Sequence, residues 1–559
     1  MNTYQKIVEE VSVDHMFEVA SRLAEWERLS GSEEEYEAFL WLEKQYQEYG
    51  YKTRIIRHDA YISLPVKCIF SVNGEEIYAQ THSMVPTGQV EGEIIFCEEV
   101  KRIANLDCTG KIVVLKGRAV YEAVALAEES GARGIIFVQD GVIRECIPSA
   151  SWGNPAPSDW KYFPSILSAS ILDLDWERLE HRIKEGERLF ANLSTVTDTS
   201  WRKIPLLIAD LKASASTEQF VMFTGHVDSW YYGAIDNGTA NAAQLEVARL
   251  VALHRDDLKR NFRIVHYSGH SHGRYAGSAW YADNFWEELH ANCVININAD
   301  SLGGKNAEDI IHSIIMPETK GLAVEIVERQ TGEKFEGVRC GRLGDQSFWN
   351  VGVSSAFASF SRQKKKMLSN GKMGFDRGNA ELGFWWHTPD DLPENIDRIN
   401  LLRDGKIFAE YVMTFLTERV IPLDFRQSIA DIAEHLEAWS DLSGEEFDIK
   451  YLLKKTKKLE KICADFYESA LSDEKKNRTI LKLARILVPL NFTRGDIYTN
   501  EPAMSIEAIP SLELIRELVK PGIKQEIKLS MKVELRRKAN YVADSLNRAS
   551  ELLLESMER

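Results

Sequence analysis

The chain alternates strand-type and helix-type segments from residue 201 to about residue 415, and this alternation restricts the fold more than any other feature. Short apolar runs at 219–225, 263–267 and 293–298 are typical of buried strands, and residues 241–254 repeat apolar side chains at helical spacing. Such alternation is the signature of a parallel or mixed sheet with helices packed on its faces. We therefore expect an α/β domain here.

Between residues 61 and 200 a different sequence pattern interrupts the alternation of strand-type and helix-type segments. Short β-type runs alternate there with turn residues, and a loop rich in Pro and Ser follows at 147–158. Residues 1–60 combine two helical segments with a strand-type run and read as part of the same α/β domain as 201–418. The region 61–200 is therefore predicted to be an inserted β-rich domain. Residues 419–559 are charged and helical, which predicts a C-terminal helical domain.

Composition and charge narrow the range of partners. The 559 residues carry a formal net charge of −17, which argues against nucleic acid as a partner. No apolar run approaches the roughly 18–20 residues that cross a bilayer, so no membrane partner is expected. Residues 1–10 lack the features of a signal peptide, and the seven cysteines never form a Cys-x-x-Cys pair. We therefore expect a cytoplasmic protein, whose thiols stay reduced.

Four segments with His or Asp follow one another through the α/β domain, most of them at predicted strand-to-loop junctions. They are Gly-His226-Val-Asp228, Gly-Ala-Ile-Asp236-Asn, Asn-Ala-Asp300 and Trp-His387-Thr-Pro. An imidazole at the end of a strand can bind a metal ion, and a nearby carboxylate can orient it. Each segment alone also suits an ordinary loop. All four together, in one domain, predict a metal centre.

In this order, the motifs Gly-His226-x-Asp228-Ser, Gly-x-x-Asp236-Asn-Gly, Asn-x-Asp300-x-x-Gly and His387-Thr-Pro-x-Asp resemble the co-catalytic zinc aminopeptidase and glutamate carboxypeptidase family. The resemblance implies that His226 and Asp300 bind one metal ion and that Asp236 bridges it to a second. It also implies His387 as a ligand of the second ion, with Asp228 orienting His226. One or two divalent ions are expected; imidazole and carboxylate suit zinc, while manganese, iron and cobalt remain open.

The insert and the tail extend the resemblance. Residues 109–115 and 131–138 are similar to the protease-associated domain that many members of this family carry. The domain order resembles the glutamate carboxypeptidase and transferrin receptor branch, which implies a homodimer formed through the helical tail. Aromatic runs at 230–232 and 384–386 adjoin two of the motifs and predict an apolar wall beside the site.

Residues 268–273 depart from the family pattern, which has two adjacent glutamates here: a general base, then a ligand of the second ion. Counting back from Gly277-Ser278 places Ser271 and His272 at these positions, whereas counting forward from the preceding strand places His270 and Ser271 there. The first alignment is chemically preferable, because imidazole is a better ligand than a hydroxyl. His272 is therefore predicted to bind metal. His270, with Ser271 as a second candidate, is predicted to handle the proton.

These features predict a metal-dependent hydrolase of the aminopeptidase or carboxypeptidase type. It would cleave the C–N bond of a small peptide or peptide-like amide with a metal-activated water. Replacing a carboxylate by a neutral imidazole makes the site one unit more positive, so the substrate can differ from an ordinary peptide. The alternative is a catalytically inactive homologue that acts as a binding or scaffold protein.

Overall fold

One large mixed sheet forms the centre of the fold in a computed structural model, which describes residues 7–368, 371, 373–375 and 380–558. The strands of this sheet are β1 (Lys52–Val72), β2 (Glu75–Ile77), β3 (Gln80–Thr81), β4 (Gly88–Cys97), β5 (Ile112–Lys116), β6 (Gly134–Gln139), β7 (Leu167–Leu172), β8 (Phe190–Leu211), β9 (Phe220–His226), β10 (Asn261–Tyr267), β11 (Cys293–Asn298), β12 (Ile314–Ile315), β13 (Val338–Arg339) and β14 (Ser354–Ala356). A separate two-stranded pairing joins β15 (Lys366–Met367) and β16 (Met373–Gly374).

The middle of the sheet is parallel. Strand β9 lies between β10 and β11 with both pairings parallel, and β14 extends this order on the far side of β11. The predicted strands at 219–225, 263–267 and 293–298 are thus confirmed, with ends shifted by at most two residues. Parallel strands place their carboxyl ends at one edge of a sheet, which is where α/β folds place ligands. His226 is the last residue of β9.

Helices cover the faces of this sheet and form the tail. They are α1 (Val13–Leu23), α2 (Glu33–Glu48), α3 (Tyr121–Glu129), α4 (Asp173–Lys184), α5 (Ala240–Leu253), α6 (Ala276–Asn284), α7 (Trp286–Asn292), α8 (Pro317–Thr331), α9 (Arg398–Thr417), α10 (Phe425–Ser443), α11 (Lys450–Glu468), α12 (Asp473–Phe492), α13 (Leu514–Leu518) and α14 (Gln525–Glu558). Helix α2 begins as its sequence predicts, because the Ser32 hydroxyl accepts a hydrogen bond from the Glu35 N–H. Helix α9 packs on the sheet, where Phe408 stacks on Phe223 of β9.

A long antiparallel ribbon joins the central part of the sheet to the inserted region. Strands β1 and β8 contain 21 and 22 residues and pair along almost their whole length. One end of β8 pairs with β10, and the other end pairs with β4 of the insert. Residues 60 and 200, where domain boundaries are predicted, lie close together across this ribbon, since Ala60 pairs with Arg202. The boundaries themselves, and the protease-associated nature of the insert, stay predictions.

The tail is helical, as its composition predicts. Helix α14 packs against α11 and α12, and the Trp439 indole of α10 donates a hydrogen bond to the backbone carbonyl of Ala508. The α/β class with a mixed sheet and C-terminal helices is therefore confirmed. All seven cysteines are unpaired. Among the described residues, no helix is both long enough and apolar enough to cross a membrane.

Candidate metal centre

The four predicted motifs meet at the carboxyl edge of the sheet. The Asp236 carboxylate lies between two imidazoles, with Oδ1 3.2 Å from His226 Nε2 and Oδ2 3.2 Å from His387 Nε2. Oδ2 of Asp300, which follows β11, is 4.0 Å from His226 Nε2. Residues from four separate parts of the chain thus surround one point, and the order of strands and turns brings them there.

Three histidines at this point have their Nδ1 atom engaged by an oxygen. The contacts are His226 with the Asp228 backbone carbonyl at 2.8 Å, His270 with the Asp345 carboxylate at 3.0 Å, and His387 with the Glu145 backbone carbonyl at 2.8 Å. Carbonyl and carboxylate oxygens only accept, so each Nδ1 carries a proton, and Nε2 is the atom of each ring that a metal ion can bind. Metal-binding histidines are usually held in this way.

The donor set fits a divalent cation. The buried atoms His226 Nε2 and Asp236 Oδ1 face each other and have no hydrogen-bond partner. Two lone pairs in this position repel each other unless a positive charge lies between them. His226, His270 and Asp300 also form a group whose ligand atoms all lie within 4.8 Å of one another. Nitrogen and carboxylate oxygen donors suit zinc and related ions.

The electrostatics of the group also favour a positive charge. Burial raises the pKa of Asp300, and the nearby Asp236 carboxylate raises it further. Burial alone lowers the pKa of His226, but the surrounding carboxylates outweigh burial and raise it well above its ordinary value. Two carboxylates held in a buried pocket are costly without a compensating cation. A bound divalent ion removes this cost.

His272 lies away from this group. Its Nδ1 accepts a hydrogen bond from the Ser30 N–H at 3.3 Å and lies 2.9 Å from the Ser30 hydroxyl, and its ring packs against Trp230. Burial lowers its pKa to about 3, so the ring is neutral. The structure therefore places His270, rather than His272, beside His226 and Asp300. The predicted roles of both histidines and of Ser271 stay predictions.

Asp228 holds the loop that contains these histidines. Its carboxylate accepts hydrogen bonds from the backbone N–H groups of His270 and Ser271 at 3.2 and 2.8 Å, and from the Ser30 hydroxyl at 2.5 Å. The carboxylate is 3.7 Å from His226 Nδ1, which instead contacts the backbone carbonyl of Asp228. The residue thus orients His226 through its main chain and positions the 270–271 segment through its side chain.

Two further residues hold the loops that contain His226 and Asp236 in place. The Asp391 carboxylate accepts hydrogen bonds from the backbone N–H groups of Ile235 and Asp236 at 2.8 and 3.0 Å. The buried guanidinium of Arg28 donates to the backbone carbonyls of Leu23, Trp26, Val227, Tyr232 and Gly233. Arg28 therefore ties the end of α1 to both loops that carry the ligands. Its sequence context, a polar segment after a helix, gives no sign of this role.

A cavity of about 870 Å³ opens onto the centre. Its wall combines the insert, the α/β region and the tail, and includes Trp230, Trp386, Tyr275, Arg118, Arg274 and Met504. Trp386 stacks on His387 with ring centroids 3.6 Å apart. The aromatic runs predicted to lie beside the site therefore contribute one tryptophan each to this wall.

Glu145 of the insert also lines the cavity, and sequence reasoning missed it. Tyr231 donates a hydrogen bond to its Oε1 at 3.0 Å, whereas its buried Oε2 has no hydrogen-bond partner. Burial raises its pKa to about 7. Its neighbours in sequence form no motif, and only the packing of the insert against the α/β region brings it to the site.

The fold and the site together define an α/β protein with a group of imidazole and carboxylate side chains at the carboxyl edge of a mixed sheet, a donor set that suits a divalent cation. Residues 207–412 match the profile of peptidase family M28. The probable glutamate carboxypeptidase VP8 of Zea mays is 21% identical over 441 residues, which cover 66% of this chain and 60% of that protein. The chain thus spans about three-fifths of the length of this relative.

Solved structures show the same fold. A zinc aminopeptidase from Bacillus subtilis superposes with a TM-score of 0.55 at 18% identity, covering 73% of this chain and 96% of that structure. A peptidase M28 precursor from Shewanella amazonensis gives a TM-score of 0.57 at 18% identity, covering 75% and 97%. Residues 207–412 therefore match a peptidase family by sequence, and the chain shares the fold of these solved peptidases.

Proposed function

We propose that this protein is a metal-dependent hydrolase that cleaves the C–N bond of a small peptide or peptide-like amide. The observation that carries the proposal is the Asp236 carboxylate, held 3.2 Å from Nε2 of both His226 and His387. This arrangement lies at an open cavity, in a chain related to peptidases by sequence and by fold. Burying two carboxylates beside two imidazoles is costly without a compensating cation.

In this proposal His226, Asp236, Asp300 and His387 hold the metal, with zinc as the first choice. A divalent cation supplies Lewis acidity at the substrate carbonyl and lowers the pKa of water. The residues of the chain hold the ligands in place and present the substrate: Asp391 fixes Asp236 through two backbone N–H groups, and the tryptophans at the cavity wall exclude water from one side.

Proton transfer needs a cavity group with a free acceptor atom. Two side chains meet this requirement: the predicted His270, through Nε2, and Glu145, through Oε2. Ser271 lies at the cavity, and its backbone N–H is held by Asp228. We therefore propose that either His270 or Glu145 accepts the proton, and single variants of the two residues distinguish these alternatives.

Further parts of the proposal concern the rest of the chain. Residues 61–200 are proposed to be a protease-associated domain that closes one side of the cavity, to which Arg118 and Glu145 contribute. Residues 419–559 are proposed to form a homodimer contact. A cytoplasmic location without nucleic-acid partners is proposed from the charge and the unpaired cysteines.

The test is hydrolysis of two peptide libraries by zinc-loaded protein, one with free amino termini and one with blocked amino termini, followed by mass spectrometry. We expect cleavage of members of one library, and loss of both cleavage and metal in Asp236→Asn. The activity should fall by more than the roughly 10–100-fold that loss of an outer partner of a metal site costs. Asp390→Asn, at an exposed neighbouring position, is the control and should retain activity.

An inactive homologue is the second candidate, and the replacement of the expected glutamate pair by His270, Ser271 and His272 favours it. It predicts a protein that binds zinc and cleaves no member of either library. Cleavage that persists unchanged in Asp236→Asn would contradict the proposed site.

A further inference from the structure

We propose that Trp152 and Gly153 of the insert are positioning residues for the segment 269–276. Both lie in the loop rich in Pro and Ser at 147–158, to which the proposed function assigns no role. The inference rests on the proposed function, because the positioned segment contains His270, a candidate proton acceptor. Its test monitors the segment directly and requires no hydrolysis.

The segment 269–276 forms a closed loop with a strained backbone. The Ala276 N–H donates to the Gly269 carbonyl at 2.9 Å and closes the loop. Arg274 and Tyr275 are both left-handed, with φ of 51° and 71°, a conformation that residues other than glycine adopt rarely. Such strain persists only where the surrounding structure holds the backbone in place. The contacts that hold this loop therefore determine where its side chains lie.

The insert supplies two of these contacts. The Gly153 N–H donates to the Arg274 carbonyl at 2.7 Å. The Trp152 ring packs against Tyr275 with centroids 4.3 Å apart, and its indole Nε1 donates to the Ser347 hydroxyl at 2.8 Å. Trp152 is buried, with 7% of its surface exposed. The insert thus contacts both left-handed residues, one through its backbone and the other through an aromatic ring.

The contact requires glycine at position 153, because the insert loop and helix α6 approach each other closely there. The φ of Gly153 is 70°, and a Cβ built on it would lie 2.5 Å from the Ala279 Cβ and 3.5 Å from the Tyr275 carbonyl oxygen. Any other L-residue would clash with α6 and push the insert loop away from the segment 269–276. A substitution at this position therefore tests the contact directly.

The contacts of Trp152 continue to the candidate proton acceptor. Tyr275 packs edge-on against His270, with centroids 4.9 Å and planes 79° apart. Asp345, which contacts His270 Nδ1 at 3.0 Å, lies two residues before Ser347, the acceptor of the Trp152 indole. Trp152 therefore constrains the His270 ring along two routes, one through a tyrosine ring and one through the turn at Asp345.

The tail anchors the insert loop in turn. The Ala503 N–H donates to the Ala150 carbonyl at 2.9 Å. The Arg342 guanidinium lies 3.5 Å from the centroid of the Trp152 ring and donates to the Glu501 carbonyl at 2.6 Å. Support from the tail gives the insert loop the rigidity that a positioning role requires.

The test is hydrogen–deuterium exchange of the full-length, zinc-loaded protein, with mass spectrometry of peptides that cover residues 268–276. Three backbone N–H groups of this segment donate hydrogen bonds, so their exchange reports whether the loop stays closed. Gly153→Ala and Trp152→Leu should each raise the exchange rate by roughly 10-fold or more, since each removes a buried contact of the loop. The kcat for a cleaved peptide should fall by roughly 10–100-fold, the effect of a misplaced catalytic group.

Two matched variants separate positioning from general destabilisation. Gly141→Ala also adds a side chain at a left-handed glycine of the insert, with φ of 68°, but its Cβ meets no described atom within 4 Å. It should change the exchange of residues 268–276 by less than about 3-fold. Trp152→Phe keeps an aromatic ring against Tyr275 and should exchange more slowly than Trp152→Leu. Far-UV circular dichroism and the melting temperature establish that each variant is folded.

Exchange that stays at the wild-type rate in both Gly153→Ala and Trp152→Leu would overturn the inference. An equal rise in Gly141→Ala would also overturn it, as would faster exchange with unchanged kcat. The outcomes separate this inference from the proposed function. Faster local exchange in a protein that hydrolyses no peptide supports the contact and refutes the function, whereas hydrolysis with unchanged local exchange does the reverse.

Discussion

Arg28 provides the most stringent stability prediction, because one buried side chain ties three parts of the site together. Arg28→Met keeps an apolar stem of similar length but removes the side-chain donor from five backbone carbonyls, of which only those of Leu23 and Gly233 also accept from a backbone N–H. Each buried acceptor left unpaired costs about 1–3 kcal/mol. Part of this loss is offset, because the variant no longer buries a charge; burial lowers the Arg28 pKa from 12.5 to about 10, which corresponds to about 3 kcal/mol.

The net expectation is a free energy of unfolding lower by about 3–5 kcal/mol, in the range found when one partner of a buried charged group is removed. Urea unfolding followed by tryptophan fluorescence measures it. Arg22→Met is the control: its surface ion pair with Glu25 is exposed and should contribute less than about 1 kcal/mol. A loss below about 1 kcal/mol in Arg28→Met would refute the view that this side chain holds the ligand loops.

Two further predictions concern single carboxylates. Glu145→Gln should lower kcat by roughly 100-fold or more and leave zinc affinity unchanged, as measured by initial rates and chelator competition; unchanged kcat would remove Glu145 from proton transfer. Burial raises the pKa of the Glu318 carboxyl from 4.5 to about 7. Between these two pH values the folded protein binds a proton that the unfolded chain does not, so the free energy of unfolding increases as the pH falls from 7 to 4.5. Glu318→Gln should therefore stabilise the protein by about 3 kcal/mol at pH 8 and by little near pH 4.5, as measured by urea unfolding; equal effects at both pH values would contradict the shifted pKa.

The meeting of the candidate ligands at one edge of the sheet was predictable from the sequence for a geometric reason. His226 ends a buried strand, and Asp300 follows the neighbouring parallel strand, so their side chains meet at one edge of the sheet. Asp236 lies in a glycine-flanked turn directly before a helix, which local sequence also reveals. The α/β class and the helical tail follow from periodicity in the same way.

The different surroundings of His270 and His272 could not be predicted from the sequence. They depend on contact partners that are distant in the chain: Asp345 for His270 and Ser30 for His272. The sequence does not reveal the roles of Arg28 and Glu145 at the site either, because only tertiary packing brings these two side chains there.

The most direct test of the metal centre is a crystal structure of the zinc-loaded protein with anomalous data recorded above and below the zinc absorption edge. We expect an anomalous peak within bonding distance of His226 Nε2, the Asp236 carboxylate and Asp300. A map without an anomalous peak at Asp236 would contradict the metal site itself.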